Sequence, residues 1–136
     1  MARSIKERLE GLRETAKRGA RNVRADVASI DDWAEMAELG APAHRDALTE
    51  IGQSFAQNAE RLEAGADGDG DVPEAVRTAL EEAARQLRAD IDRLVALVAE
   101  AAPDEEAREA FDSLLVWLRN HVTWIETGIS AEDEQR

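Results

Sequence analysis

The stretch that decides the fold is residues 5–42, IKERLEGLRETAKRGARNVRADVASIDDWAEMAELGAP. Its apolar residues recur at steps of three and four, which places them on one face of a helix for most of ten turns. Gly40 and Pro42 then provide the residue types that end helices. The pattern predicts a first helix over about residues 3–39. Its apolar stripe consists of Ile5, Leu9, Leu12, Ala16, Ala20, Val23, Val27, Ile30, Ala34 and Ala37.

Three further segments have the same helical spacing, and no segment alternates with the period of a strand. We predict helices over about residues 42–64, 73–101 and 104–129. The loop GADGDGDVP (65–73) separates the second helix from the third, and AAPDEE (101–106) separates the third from the fourth. Four amphipathic helices with short connections predict an all-α fold, an antiparallel four-helix bundle with a long, basic N-terminal helix.

The 136 residues are enough for one domain with its own core. We predict a single domain over residues 1–129 and a disordered acidic tail over residues 130–136, because the tail has nothing to bury. At 1.5 Å per residue the first helix would be about 55 Å long, whereas the second would be about 35 Å. If this helix is straight, its N-terminal turns would overhang the bundle or pack on another subunit. The alternative is a bend near Ser29 that folds them back.

Composition excludes several kinds of site. The chain has no cysteine, which removes thiolate nucleophiles, cysteine-based zinc sites and redox chemistry. Neither His44 nor His121 has a Glu three residues earlier, so the Glu-x-x-His pairs of a di-iron bundle are missing. The acidic loop has Val72 and Thr78 where a calcium-binding EF-hand needs Gly and Glu. We expect no metal, no cofactor, no small-molecule substrate and no enzymatic activity.

The same composition bears on where the protein acts. No apolar run approaches the ~20 residues that cross a bilayer, and no apolar segment follows the basic N-terminus. We therefore expect a cytoplasmic protein without a membrane span. Thirty acidic residues outnumber 17 basic ones, and the net charge is −13. An excess of carboxylates with only two lysines is typical of halophilic archaea; a high-GC actinobacterial source would explain the Ala and Arg bias but less readily the charge.

Positive charge is concentrated at the N-terminus. Residues 1–24 contain eight basic and three acidic side chains, a net charge of +5, and the remainder of the chain has −18. A basic ridge beside the apolar stripe suits an acidic protein surface, the phosphates of a nucleic acid or an anionic membrane. No aromatic residue is interleaved for base stacking, which disfavours nucleic acid. The basic ridge consists of Arg3, Lys6, Arg13, Lys17, Arg21 and Arg24.

The tryptophans suggest a contact surface. In the fourth helix Trp117, His121 and Trp124 widen the apolar arc to about half the circumference, more than one bundle face requires. Trp33 flanks the stripe of the first helix in the same way. Since Trp is enriched at interaction hot spots, these residues favour a partner-binding surface. The alternative is that they close the edge of the core, each indole N–H meeting a carboxylate or a carbonyl.

The sequence therefore predicts a non-catalytic interaction protein. It would self-associate as a homo-oligomer or dock on a larger protein assembly, through the first helix and the flank of Trp117 and Trp124. The alternative is a nucleic-acid-associated accessory factor that uses the basic ridge. The residues assigned to the protein contact are Ile5, Leu9, Leu12, Trp33, Trp117, His121 and Trp124.

Overall fold

The computed structural model describes residues 4–67 and 73–134. The described residues form four α-helices and no strand, which confirms the all-helical prediction over these ranges. The helices are α1 (Ile5–Ala37), α2 (Pro42–Asp67), α3 (Pro73–Ala101) and α4 (Glu105–Glu134).

Defined caps fix several of the helix ends. Ser4 precedes α1, and its Oγ accepts a hydrogen bond of 3.1 Å from the Glu7 N–H. Glu38 ends the same helix in the left-handed conformation, with φ 47°. At the start of α4 the carboxylate of Asp104 accepts the Ala107 N–H at 2.9 Å. Polar side chains thus satisfy backbone donors that the first turns of α1 and α4 leave without helical partners.

The helix lengths differ from the predicted ones, and the predicted end of the fourth helix at residue 129 is wrong. α4 continues to Glu134, and the buried carboxylate of Glu132 packs on Gly11 of α1. The 33 residues of α1 are about 50 Å long and the 30 residues of α4 about 45 Å. α1 also runs through Ser29 without a break in the helix. The last turns of α4 therefore pack beside the N-terminal turns of α1.

One core lies between the helices. α1 contacts α2 and α4 and also α3, while α2 contacts α3, and α3 contacts α4. Each helix contributes large side chains that are almost fully enclosed, the arrangement of a helical bundle. They include Leu12, Ile30, Phe55, Leu62, Leu80, Leu87, Leu118 and Ile125. Among the described residues, no helix combines the length and the apolar character required to cross a bilayer.

Candidate functional site

Trp33 lies in the core at the contact between α1 and the start of α4. Its indole Nε1 donates a hydrogen bond of 2.8 Å to the carbonyl of Ala107. Its ring packs on Phe111 with 5.4 Å between the ring centroids. Only 5% of the residue is exposed. Trp33 therefore fits the core alternative, and its assignment to the contact surface is corrected.

The buried Asp26 and the half-buried His121 form a polar pair between α1 and α4. The imidazole Nδ1 donates to the carboxylate and lies 2.8 Å from each of its oxygens. Burial raises the pKa of Asp26 to about 6, and the hydrogen bond from His121 opposes that rise. The hydrogen bonds of the described residues bring no Ser or Thr hydroxyl to this imidazole. The pair joins two helices and has no nucleophile hydrogen-bonded to it.

Small residues bring α1 and α4 close together at a second level, which follows His121 along α4 and precedes Asp26 along α1. A Cβ added at Gly128 would come within 2.6 Å of Oγ1 of Thr15, a separation that atoms cannot adopt. A Cβ at Gly19 would lie 3.1 Å from the side chain of Ile125. Gly128 is therefore required for the close approach of the helices, and it fixes the groove between them at this level.

Trp117 and Trp124 occupy the outer surface beside this contact. They flank His121 at four residues before it and three after it, and they are 63% and 38% exposed. The rings of Trp117 and His121 lie 6.0 Å apart at 41°. These two tryptophans are thus on the surface, in contrast to Trp33, and the half-buried His121 joins them to α1.

Both tryptophans belong to a stripe of exposed residues along α4, and a second stripe, exposed except for the half-buried Asn22, follows α1. Successive members are three or four residues apart, so each stripe keeps to one side of its helix. We call the two stripes together the α1–α4 face. The α4 stripe is Ser113, Trp117, Asn120, Trp124, Thr127 and Ala131. The α1 stripe is Arg18, Asn22, Ala25, Ser29, Asp32 and Met36.

The α4 stripe contains no charged residue, although 35% of the chain is charged. Between residues 113 and 131 the only charged side chains are Arg119 and Glu126. Glu126 lies on the α3 side of the helix, where it pairs with Arg88. The exposed side of α4 that adjoins α1 is therefore uncharged over 19 residues.

The basic ridge lies elsewhere, along the groove between α1 and α2. Arg24 pairs with Glu63 of α2, an interaction that raises the pKa of its guanidinium. Lys17 and Arg21 line the same groove, a cavity of about 380 Å³, together with Asp67. Carboxylates of the protein itself therefore share the groove with these cations. Of the other members of the ridge, Lys6 is exposed, Arg13 is partly buried and Arg3 lies outside the described residues.

Two of the leucines assigned to the contact are also core residues. Leu9 and Leu12 are buried in the same cluster as the rest of the apolar stripe, because neighbouring helices cover the N-terminal turns of α1. Ile5 alone of this group is exposed, at 65%. Of the residues assigned to the protein contact, Ile5, Trp117 and Trp124 are therefore exposed and His121 is half-buried.

Residue spacing within α1 and α4 does not pair Asp26 with His121, which are 95 residues apart. Asp26 does stand beside the apolar stripe, three residues after Val23 and four before Ile30, and a lone carboxylate at such a position could have marked it. The α1 stripe has no such signal, because its members are mostly polar or small and apolar periodicity does not include them.

Within the described residues no three His, Asp or Glu side chains are grouped so as to hold a metal ion. Comparison with protein-family models, with curated proteins and with solved structures finds no match.

Proposed function

We propose that this chain is a non-catalytic interaction protein that docks on protein through the α1–α4 face, either by self-association or on a larger assembly. The supporting observation is the pair of outward tryptophans on an uncharged stripe of a chain that is otherwise densely charged. Burial of apolar area stabilises an interface by roughly 25 cal/mol per Å² before the costs of association. Trp is also among the residues most enriched at the centres of interfaces.

The finer architecture that we infer is an antiparallel bundle with a basic N-terminal half of α1. Three pairs support it. Trp33 bonds to Ala107, Asp26 to His121, and Thr15 meets Gly128, so the residue numbers fall along α1 as they rise along α4. The two stripes of the α1–α4 face, residues 18–36 of α1 and 113–131 of α4, would therefore lie side by side with opposite directions.

Pre-organisation favours a docking role for this face. The bond to Asp26 holds the imidazole of His121, and Trp117 packs beside that ring. The close contact of Thr15 with Gly128 fixes the spacing of the two helices. Because these groups are already ordered, binding costs less side-chain entropy than it would on a mobile surface.

The rival proposal, nucleic-acid binding by the basic ridge, is less well supported. Phosphate binding depends on cations that can displace counterions. In the groove between α1 and α2, Glu63 and Asp67 stand among those cations and repel a polyanion. We expect no retardation of a short duplex or single strand in a native gel at low salt. Retardation that disappears in Lys17→Glu would favour the rival.

Site-specific photo-crosslinking tests the proposed function. A benzophenone amino acid replaces Trp117 or Trp124, and in the control it replaces Val116, which is 57% exposed on the same helix but outside the α4 stripe. We expect protein adducts from both tryptophan positions, with the purified protein alone or in an extract of the source cells, and far fewer from position 116. Equal adducts from position 116, or none from either tryptophan position, would contradict the proposal.

A further inference from the structure

We infer that the partner on the α1–α4 face is a second copy of this chain, related by a twofold axis that lies in the plane of the face and perpendicular to the helices. Each α1 then lies against α1 of the other copy, and each α4 against α4, with opposite directions. The inference rests on the proposed function, because it names the partner for the same surface.

The first argument is the charge distribution along α1. Residues 5–24 contain seven basic and three acidic side chains, a net charge of +4. Residues 25–37 contain four acidic side chains and no basic one, a net charge of −4. When two such helices pair with opposite directions, the positive half of each is level with the negative half of the other. Of these charges only Arg18 and Asp32 belong to the α1 stripe, because Lys17, Arg21 and Arg24 line the groove with α2 and Asp26 is buried. A twofold dimer makes this match twice with a single surface.

The α1 stripe shows this complementarity in two exposed residues. Arg18 and Asp32 both stand on the stripe, seven residues before and seven after Ala25. An axis that passes at Ala25 therefore brings Arg18 of each copy opposite Asp32 of the other. Within its own helix Arg18 pairs with Glu14 at 2.8 Å between two exposed side chains, so in the dimer its guanidinium is shared between Glu14 and Asp32 of the other copy. At the axis itself the alanine side chains are small enough for the two helices to approach closely.

The α4 stripe has its own centre of symmetry. Trp117 and Trp124 are seven residues apart, about 10.5 Å along the helix. The midpoint between them falls at Asn120 and His121. An axis at that midpoint sets Trp117 of each copy against Trp124 of the other, so that every exposed indole meets an aromatic partner.

The two centres lie at the same level of the bundle. The bond between Asp26 and His121 places residue 26 of α1 beside residue 121 of α4. Ala25 is therefore level with the midpoint of the two tryptophans. A single axis therefore satisfies both the charge pairing of α1 and the aromatic pairing of α4. The sequence of neither helix by itself requires the two centres to lie at the same level.

The size and net charge of the face also suit a second copy. The α4 stripe is about 27 Å long, and two packed helices are about 20 Å wide. A flat footprint of that size is about 540 Å², which is smaller than the roughly 800 Å² that each partner buries in a standard interface but above the roughly 500 Å² per partner that a biological interface needs. Two chains of charge −13 repel each other. On this face Arg18 and Asp32 cancel, so the repulsion is lower here than on an acidic surface.

Sedimentation equilibrium with charge-swapped variants tests the inference. In about 0.15 M NaCl we expect a dimer for the natural chain. Arg18→Glu and Asp32→Arg should each raise the dissociation constant about tenfold, because each replaces two attractions by two repulsions. The double variant carrying both changes should return to within about threefold of the natural value. In about 2 M NaCl the single variants should approach the natural chain as the charges are screened.

Arg85→Glu is the matched control, because it changes the net charge by the same amount on an exposed position of α3. It should leave the dimer within about threefold of the natural chain. Trp117→Ala should weaken the dimer about a hundredfold, since it removes two central indoles. Circular dichroism of each variant checks that the fold is retained, which we expect because the substituted residues are exposed.

The outcomes separate this inference from the proposed function. A chain that stays monomeric at the highest accessible concentration overturns the second copy as partner. If the tryptophan positions still crosslink to another protein, the proposed function stands without this inference. A dimer that Trp117→Ala leaves intact places the interface elsewhere and overturns the inference. A dimer in which the double swap fails to rescue the single variants overturns the twofold arrangement.

Discussion

The α2–α3 side of the bundle and the α1–α4 face are built differently. On the α2–α3 side, Ser54 donates a hydrogen bond of 2.5 Å to Asp90, whose pKa is raised by burial. Arg93 lies 3.5 Å from Asp90 and 3.8 Å from Glu50. Charged groups thus pair across the helices on that side. On the α1–α4 face, by contrast, the α4 stripe contains no charged residue. Its large apolar side chains are Trp117 and Trp124, of which Trp117 is the more exposed.

The difference shows which surface is complete in water. Exposed ion pairs contribute only ~0–1 kcal/mol to stability, but their charges remain well hydrated. Exposed indoles gain from removal from water, and the bundle leaves Trp117 63% and Trp124 38% exposed. The charged pairs of the α2–α3 side are therefore stable in water, whereas the exposed indoles of the α1–α4 face would gain from burial, as the proposed docking role requires.

The largest test of this comparison sets a core tryptophan against a surface one. We expect Trp33→Ala to lower the free energy of unfolding by about 3–5 kcal/mol, because it removes a buried ring and the bond to Ala107. Trp117→Ala should change it by no more than about 0.5 kcal/mol in dilute protein. Urea unfolding followed by circular dichroism measures both. Equal losses would show that the two rings do the same structural work.

A second test concerns the pair of Asp26 and His121 beneath the face. Burial raises the pKa of Asp26 from 3.8 to about 6. Since the folded state binds the proton more tightly than the unfolded state, the stability from this group is complete below about pH 4 and is lost as the pH rises through about 6. Asp26→Asn does not titrate. We expect its free energy of unfolding to rise relative to the natural chain by up to about 3 kcal/mol between these limits.

Denaturant unfolding at a series of pH values measures that difference. Asp31→Asn is the control, because it removes a carboxylate from an exposed position of the same helix. A difference between Asp26→Asn and the natural chain that stays constant with pH would mean that burial does not control this carboxylate.

A third test compares two glycines. Gly128→Ala should destabilise by about 1–3 kcal/mol, because the added methyl group overlaps Thr15 and pushes α1 and α4 apart. Gly52→Ala in α2 meets nothing within 4 Å and should stabilise by up to about 1 kcal/mol through its better helix propensity. Thermal unfolding gives both signs. If Gly128→Ala instead stabilised the protein, the two helices would not be as close at Gly128 as the shape of the face requires.

The smallest effect on stability is expected from an exposed ion pair between α3 and α4. Arg88 bonds to Glu126 and Thr123 across α3 and α4. Because these groups are exposed, Arg88→Ala should cost less than about 1 kcal/mol, and salt should reduce the difference. Urea titrations at low and high salt measure it. A loss of several kcal/mol would mean that exposed ion pairs, and not the core, stabilise this surface.

Much of the fold was predictable from residue spacing. The stripes that begin at Ile5 recur with the helical period, so the number of helices and the buried residues of each follow directly. Trp33 and Trp117 show what residue spacing does not predict. Both flank an apolar stripe, and only the neighbouring helix decides that Trp33 finds the carbonyl of Ala107 while Trp117 finds none. The partner of Asp26 was hidden for the same reason, since spacing within a helix carries no information on pairing between helices.

Hydroxyl-radical footprinting of the natural chain tests the central claim most directly. The oxidation of Trp117 and Trp124 is measured by mass spectrometry well below and well above the dissociation constant, with the buried Trp33 as the internal reference. If the α1–α4 face joins two copies, oxidation of both exposed tryptophans falls together at high concentration while that of Trp33 stays low. If both remain equally oxidised while the chain is dimeric, the face is not the interface.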